Sequence, residues 1–384
     1  MELLKWIAIA VAVGGLLFVS MYAPSSSNAV TKEVTPIVAQ DVTFNNGEVT
    51  LAGTLTLPST TGPHPAVILI SGSGPQNRDE EVPGIPGYRP FAIIAEYLTN
   101  SGIAVLRYDD RGVGESTGDH DAATSADLAT DTEAALRYLL TRDEIDPNQI
   151  GLLGHSEGGM IAAMVAARTP DVSFVISMAG TAVDGYNLLI KQLERIVRAS
   201  GASEDEVAVA VEQQRSILVL ALTEEWEDLQ TFLYATLLEQ LQDLSEEQKT
   251  AMSDVEAMAQ QRVAIQMEGF RSPWFQFFLN YDPSQDWEQV TVPVLALFGE
   301  LDVQVDAEQN RAALQEALSR ADNSDVTVVT FAAANHLFQD AITGSVTEYA
   351  TLPKEFVPGF LETITDWLLE RVRHAQARRS DVEG

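Results

Sequence analysis

Residues 150–163 read Ile150-Gly151-Leu152-Leu153-Gly154-His155-Ser156-Glu157-Gly158-Gly159-Met160-Ile161-Ala162-Ala163. An apolar run ends in a glycine-flanked Ser156 and continues into small residues, the pattern of a strand, a sharp turn and a helix. A serine on such a turn has strained backbone angles that push its hydroxyl clear of the sheet. Glycines two residues to either side let strand and helix pack closely around it. Ser156 is therefore a candidate nucleophile.

A hydroxyl is a poor nucleophile at neutral pH. It needs a histidine to take its proton and a carboxylate to hold that histidine's tautomer. In a turn of this kind the partners follow the serine, acid first and histidine second. The chain has 5 histidines, and only His336 and His374 lie downstream. His374 sits in Arg371-Val372-Arg373-His374, where a solvated surface role is the better reading. His336 closes the short loop Ala332-Ala333-Ala334-Asn335-His336 after the strand-like run Val326 to Phe331. The acid belongs after another strand, Pro293 to Gly299, which leads into Glu300, Asp302 and Asp306. Asp302 is the choice among the three, because Glu300 abuts the turn glycine and Asp306 reads as the N-cap of a helix from Ala307 to Leu318.

The oxyanion formed by serine attack needs hydrogen-bond donors, each worth roughly 3 to 4 kcal/mol to catalysis. One is the amide of Glu157, directly after the nucleophile. The other is expected from the glycine-rich loop Ser71-Gly72-Ser73-Gly74-Pro75 that follows the run Ala66 to Ile70; Ser73 is favoured, with Gly74 the alternative.

Six features together carry a family resemblance: Ser71 to Asp79, Tyr108-Asp109-Asp110-Arg111-Gly112-Val113-Gly114, the serine turn, Tyr281-Asp282-Pro283, Gly299 to Asp302, and Asn335-His336. They span residues 71–336. The chain resembles an α/β-hydrolase, and within that superfamily the bacterial serine esterases related to prolyl-oligopeptidase-type and acyl-transfer hydrolases. The resemblance implies a mostly parallel central sheet flanked by helices, an inserted helical cap, and Ser156, Asp302 and His336 as the catalytic residues. Many lipases carry His-Gly-Gly-Gly where this chain has Ser71-Gly72-Ser73-Gly74, so the donor stays open between Ser73 and Gly74.

The pattern along the rest of the chain agrees. Asn45-Asn46-Gly47 separates two strand-like runs, a hairpin signal. Predicted strands then alternate with helices up to Met178, which argues a parallel sheet covered on both faces. Between Val183 and Glu288 the strands stop. Ser203 to Glu206 and Ser245 to Gln248 read as capping boxes, and Leu233, Leu237, Leu241 and Leu244 form one helical stripe. The predicted organisation is 1–29 as signal peptide or anchor, 30–182 and 289–384 as the two parts of the hydrolase core, and 183–288 as the cap. Inserted near the strand ends, a cap would roof the active site; a dimer surface is the alternative. Trp274, Phe275, Phe277 and Phe278 read first as cap core and second as pocket lining. The final helix shows one buried face through Phe360, Leu361, Ile364, Trp367, Leu368 and Val372.

Asp109, Asp110 and Arg111 suit a structural ion pair that fixes a loop rather than a second site. No histidine–carboxylate cluster has ligand spacing and the chain has no cysteine, so no metal is expected. The glycine-rich loop lacks the lysine of a phosphate-binding loop, and no cofactor is expected. A net charge of -33 over 384 residues repels nucleic acid and anionic membranes. The acidity is shared, since residues 183–288 hold 20 acids and 7 bases, a net -13. With 5 Lys against 18 Arg, the surplus suits adaptation to salt, which screens self-repulsion. Lys5, the apolar run Trp6 to Tyr22 and the site-like Ser27-Asn28-Ala29 predict an exported protein, by cleavage or as an uncleaved anchor.

The expected chemistry is hydrolysis of a small-molecule ester through an acyl-enzyme. A serine peptidase or thioesterase with the same triad is the first rival, and a non-catalytic binding protein on the same fold the second. Substrate-binding residues and oligomeric state are left open by the sequence.

Overall fold

The computed structural model describes residues 37–242 and 255–383. The apolar run Trp6 to Tyr22, Leu244 and the Ser245 capping box lie outside the described residues, as does the side chain of His374. Among the described residues no helix is long and apolar enough to cross a membrane.

The chain forms two compact units. One contains residues 121–124 and 184–282, the other residues 37–120, 125–183 and 283–383. The second is built on an eight-stranded sheet of order β1-β2-β4-β3-β5-β6-β7-β8. Its strands are β1 (Val38–Asn46), β2 (Val49–Leu57), β3 (His64–Ile70), β4 (Ala104–Tyr108), β5 (Ile145–His155), β6 (Val175–Met178), β7 (Val294–Gly299) and β8 (Val326–Phe331). β1 and β2 form the predicted hairpin, with Asn46 opposite Val49 and Gly47 at φ +58°. β2 runs antiparallel to β4, and every later pairing is parallel.

Burial follows position in the sheet. β6 and β7 are buried throughout and β3 nearly so, because helices cover both faces of a parallel sheet. β1 and β8, at the two edges, are largely exposed or half-buried. Alternate residues point to opposite faces. Val67, Leu69, Val105, Leu153, Ile176, Leu295 and Leu297 pack against helix α1 (Pro90–Asn100) and the last helix, through Phe91, Ile94, Leu98, Phe360, Ile364 and Trp367. The opposite face carries α2 (Ser125–Leu140) and α3 (Glu157–Arg168).

The other unit is helical, with α4 (Gly185–Ala199), α5 (Glu204–Leu222), α6 (Trp226–Gln242), α7 (Val255–Arg271) and α8 (Pro273–Asn280). Ser203 and Glu206 form the predicted capping box at the start of α5. Leu233, Leu237 and Leu241 are buried on α6. Phe275 and Phe278 lie in this unit's core, where Phe275 meets Phe270 edge-on and Phe278 stacks on Trp274. The short helix α9 (Ser284–Trp287) returns the chain to the sheet unit, where α10 (Ala307–Arg320) and α11 (Phe360–Glu383) complete it.

Candidate active site

Ser156 stands between β5 and α3 with φ 55° and ψ −118°, a left-handed conformation for a residue with a side chain. Its amide donates to the Met178 carbonyl at 2.9 Å, which ties the turn to the end of β6. The flanking glycines are sterically required. A Cβ at Gly154 would collide with the Gly158 carbonyl, and one at Gly158 would collide with the carbonyl of Ile70 and lie 2.6 Å from that of Ser71. Strand, turn and helix can therefore approach only with hydrogen at these two positions.

Of the three downstream carboxylates, one faces the histidine. Asp302 Oδ2 lies 2.8 Å from His336 Nδ1, and both residues are buried. Asp302 Oδ1 accepts from the amides of Gln304 at 2.7 Å and Val305 at 2.9 Å, which fixes the carboxylate plane. Asp306 caps α10 by accepting from the Gln309 amide at 2.9 Å. Glu300 is exposed. The loop carrying His336 is held by Asn335, whose Oδ1 accepts from the amides of Leu337 and Gln339 at 3.0 and 2.9 Å. It is stitched to the acid loop by the Leu301 amide donating to the Ala334 carbonyl at 3.0 Å. Among the described residues no hydrogen bond joins Ser156 Oγ to the His336 ring.

Two buried acids organise the loop after β3. The Gly72 amide donates to Glu80 Oε1 at 2.9 Å. Ser71 Oγ and the Gln76 amide donate to the two oxygens of Asp110, each at 2.9 Å. Burial drives the Asp110 carboxyl up to about 8, against these two hydrogen bonds, and the charges of Glu157 and Glu80 push it in the same direction. The amides of Ser73 and Gly74 make no hydrogen bond among the described residues. Gly72 lies against the nucleophile, since a Cβ there would sit 3.3 Å from Ser156 Cβ. The Glu157 side chain is buried and accepts from Ser125 Oγ at 2.6 Å, while its amide opens α3, where first-turn amides have no acceptor within the helix.

Asp109 and Arg111 do form structural ion pairs, with partners the sequence did not suggest. Asp109 is bound by Arg78 Nε at 3.1 Å and Nη2 at 2.6 Å. Arg111 holds Asp131 through two hydrogen bonds of 2.7 and 2.9 Å. Burial opposes ionisation of Asp109, but the hydrogen bonds from Arg78 outweigh it and lower its pKa. No group of histidines and carboxylates suited to a metal occurs among the described residues.

Sequence reasoning missed Glu80 and His155. Glu80 Oε1 lies 2.8 Å from His155 Nδ1, and His155 Nε2 lies 3.1 Å from the His336 carbonyl oxygen. The only signal in the sequence is adjacency, His155 preceding the serine and Glu80 following the motif that ends at Asp79.

A family model described as serine aminopeptidase, S33 matches residues 88–339, more than half of the chain. The chain belongs to this family of the α/β-hydrolase superfamily. Its eight-stranded, mostly parallel sheet is the fold that membership implies. This α/β hydrolase is similar to the esterase EstD of Thermotoga maritima, with 26% identity over 298 residues, covering 78% of this chain. The alignment covers 59% of that esterase's own length. Among solved structures, an esterase of Pyrococcus furiosus aligns with a TM-score of 0.52 at 16% identity, covering 91% of this chain and 99% of that one. An α/β hydrolase from Penicillium aligns with a TM-score of 0.50 at 18% identity, covering 87% and 97%. At these identities the two likenesses speak to fold.

Proposed function

We propose that this protein hydrolyses carboxylic esters of small molecules through an acyl-enzyme on Ser156, with His336 as general base and acid and Asp302 as its orienting carboxylate. The single observation that carries the reading is the buried 2.8 Å contact between Asp302 Oδ2 and His336 Nδ1, in a chain whose strained serine turn opens a helix. A proton on Nδ1 directed at Asp302 leaves Nε2 free to accept another.

In the first half-reaction Ser156 Oγ attacks the ester carbonyl carbon and its proton passes to His336 Nε2. The oxyanion rests on the amides of Glu157 and Ser73, and collapse of the adduct releases the alcohol with the proton that His336 returns. Water then attacks the acyl-enzyme by the same route and releases the acid. Esters are favoured over amides because an alkoxide leaves with less protonation than an amine, and the similarity to the Thermotoga esterase points the same way. Peptide hydrolysis is the second reading, supported by the serine aminopeptidase description of the family.

The test combines a phosphonate that labels activated serines with ester, thioester and peptide panels compared by kcat/KM. The ester reading expects stoichiometric labelling lost in Ser156→Ala, and the highest kcat/KM on esters. A higher kcat/KM on N-terminally free peptides replaces it with the peptidase reading, and an unlabelled wild type removes the serine mechanism.

We also propose that the protein is exported, on the strength of Lys5 and the apolar run Trp6 to Tyr22. A mature chain beginning at Val30 by intact mass supports cleavage, a full-length chain in the membrane fraction supports the anchor, and a full-length cytosolic chain refutes export.

A further inference from the structure

Beneath Ser156 lies a second carboxylate–imidazole pair that the reaction above does not use. Glu80 and His155 are each 4% exposed. Glu80 Oε1 receives both His155 Nδ1 at 2.8 Å and the Gly72 amide at 2.9 Å. The other ring nitrogen, Nε2, faces the backbone carbonyl of His336 at 3.1 Å. Both partners of the ring accept hydrogen bonds, so a ring with one proton leaves one of the two contacts unmade, and an imidazolium makes both.

We propose that Glu80 and His155 are positioning residues which hold the oxyanion loop and the histidine loop in one register around Ser156, through the chain Gly72 N–H, Glu80, His155 and His336 C=O. The role rests on the ester-hydrolase reading above.

Three observations give the pair more than a packing role. The first is topological. β5, which ends in His155, is separated from β8, which precedes the His336 loop, by β6 and β7. No strand ladder ties those two segments directly, and the His155 ring spans the gap with its centroid 4.8 Å from that of His336. The second is strain. Glu80 sits at φ 51°, a left-handed conformation unusual for a residue with a side chain, and its Oε2 is buried with no hydrogen-bond partner. Buried carboxylate oxygens are ordinarily satisfied, and exceptions cluster where geometry serves function. The third is electrostatic. Burial disfavours a charged His155, but Glu80, then the hydrogen bond to the His336 carbonyl, then the charge of Asp302 reverse this and raise its pKa. The other titratable groups around the pair are His336, Tyr88, whose pKa burial and the Glu80 charge raise, and Asp110.

The experiment is done on the full chain and has two arms. Nitrogen-detected NMR of the wild type near neutral pH reads the His155 ring without reference to activity, and both nitrogens are expected to carry protons. Phosphonate labelling and steady-state kinetics then compare wild type with Glu80→Gln and His155→Gln. Displacing a reacting group by about 1 Å costs about 10²-fold in rate. Each variant is therefore expected to lose about 10²-fold in kcat and in labelling rate, with KM within about threefold and a cooperative melt retained. The double variant is expected to lose no more than either single one, because both break one chain. A wild-type ring with a single proton overturns the proposal, even if both variants fail to fold. Labelling of the variants at the wild-type rate overturns it while leaving the ester-hydrolase reading intact. A wild type that takes no label overturns the hydrolase reading, and the positioning role falls with it.

Discussion

Replacing Asp302 by asparagine reverses the hydrogen-bond sense of one atom in a pocket where every neighbour donates. Oδ1 accepts two backbone amides, those of Gln304 and Val305, and Oδ2 accepts from His336 Nδ1. Asparagine offers one acceptor and one donor. With its NH2 at the Oδ1 position, two buried amides lose their acceptor, at about 1–3 kcal/mol each. With NH2 at the Oδ2 position, only His336 must respond, by moving its proton from Nδ1 to Nε2. The second arrangement costs less, so the variant folds with a histidine that cannot take the proton of Ser156. The expected loss in kcat is about 10⁴-fold, the figure for a triad whose acid becomes an amide. This corresponds to about 5.4 kcal/mol of transition-state stabilisation at about 1.36 kcal/mol per decade. Single-turnover hydrolysis of an activated ester, with a thermal melt of the same sample, separates this from unfolding. Glu300→Gln and Asp306→Asn serve as controls, since Glu300 is exposed and Asp306 caps a helix. If Asp302→Asn keeps kcat within about tenfold of wild type, or if a control loses as much, the reasoning from these three hydrogen bonds is wrong.

Ser156→Gly is expected to stabilise the protein by about 1 kcal/mol, because strain in a left-handed residue of about 1–3 kcal/mol is relieved against the added freedom of glycine in the unfolded chain; Ser156→Ala, which keeps Cβ, should not stabilise, and equal melting temperatures for the two variants would refute the strain. The Asp110 carboxyl, driven by burial up to about 8, binds its proton more tightly folded than unfolded. Its contribution is therefore complete below the ordinary carboxylate range near 4 and lost as pH climbs through 8. Thermal melts from acid to alkaline pH should show Asp110→Asn gaining on wild type across that window, and parallel curves would count against it. His155 has the same sign: its raised pKa stabilises below the ordinary histidine range and is lost as pH rises through the folded value, so His155→Gln should cost most stability on the acid side. With a net charge of -33, the melting temperature should rise between low and molar sodium chloride, and equal values would remove the salt-adaptation reading.

The parts of this molecule that were legible in its sequence are those with a repeating or local signal. β3 and β7 are short apolar runs bounded by turns, and α5 opens at the capping box of Ser203 and Glu206. The cap that Asp306 forms on α10 is legible as a purely local pattern. Boundaries were less legible where hydrogen bonding rather than apolarity decides them. β5 begins at Ile145, before Asp146-Pro147-Asn148-Gln149, because Ile145 pairs with His64 on β3 across a register shift. The pairing of side chains far apart in sequence carries no signal, even where each residue adjoins a motif. Glu80 and His155 are 75 residues apart, and Arg111 reaches Asp131 on the next helix rather than the acids beside it.

The charged triplet Arg78-Asp79-Glu80 shows how loops acquire the rigidity that a reacting site demands. Each of the three consecutive side chains binds a different element: Arg78 takes Asp109 after β4, Asp79 takes Arg107 within β4, and Glu80 takes His155 at the end of β5. An exposed pair contributes little, because water screens it and side-chain entropy opposes it. These pairs are largely buried, and removing one partner leaves the other charge without compensation, which is strongly destabilising. The arrangement carries its own opposing effect. Burial, with the charge of Arg78 nearby, lowers Arg107 to about 10. Only a segment held on both sides can keep such groups packed together. The three pairs anchor the loop after β3, which has no ladder of its own and whose Gly72 lies against Ser156. If Ser73 or Gly74 supplies the oxyanion donor proposed above, its position depends on charges four to seven residues downstream, and Arg78→Ala or Asp79→Ala is expected to lower kcat on an activated ester, with unchanged kcat counting against that dependence.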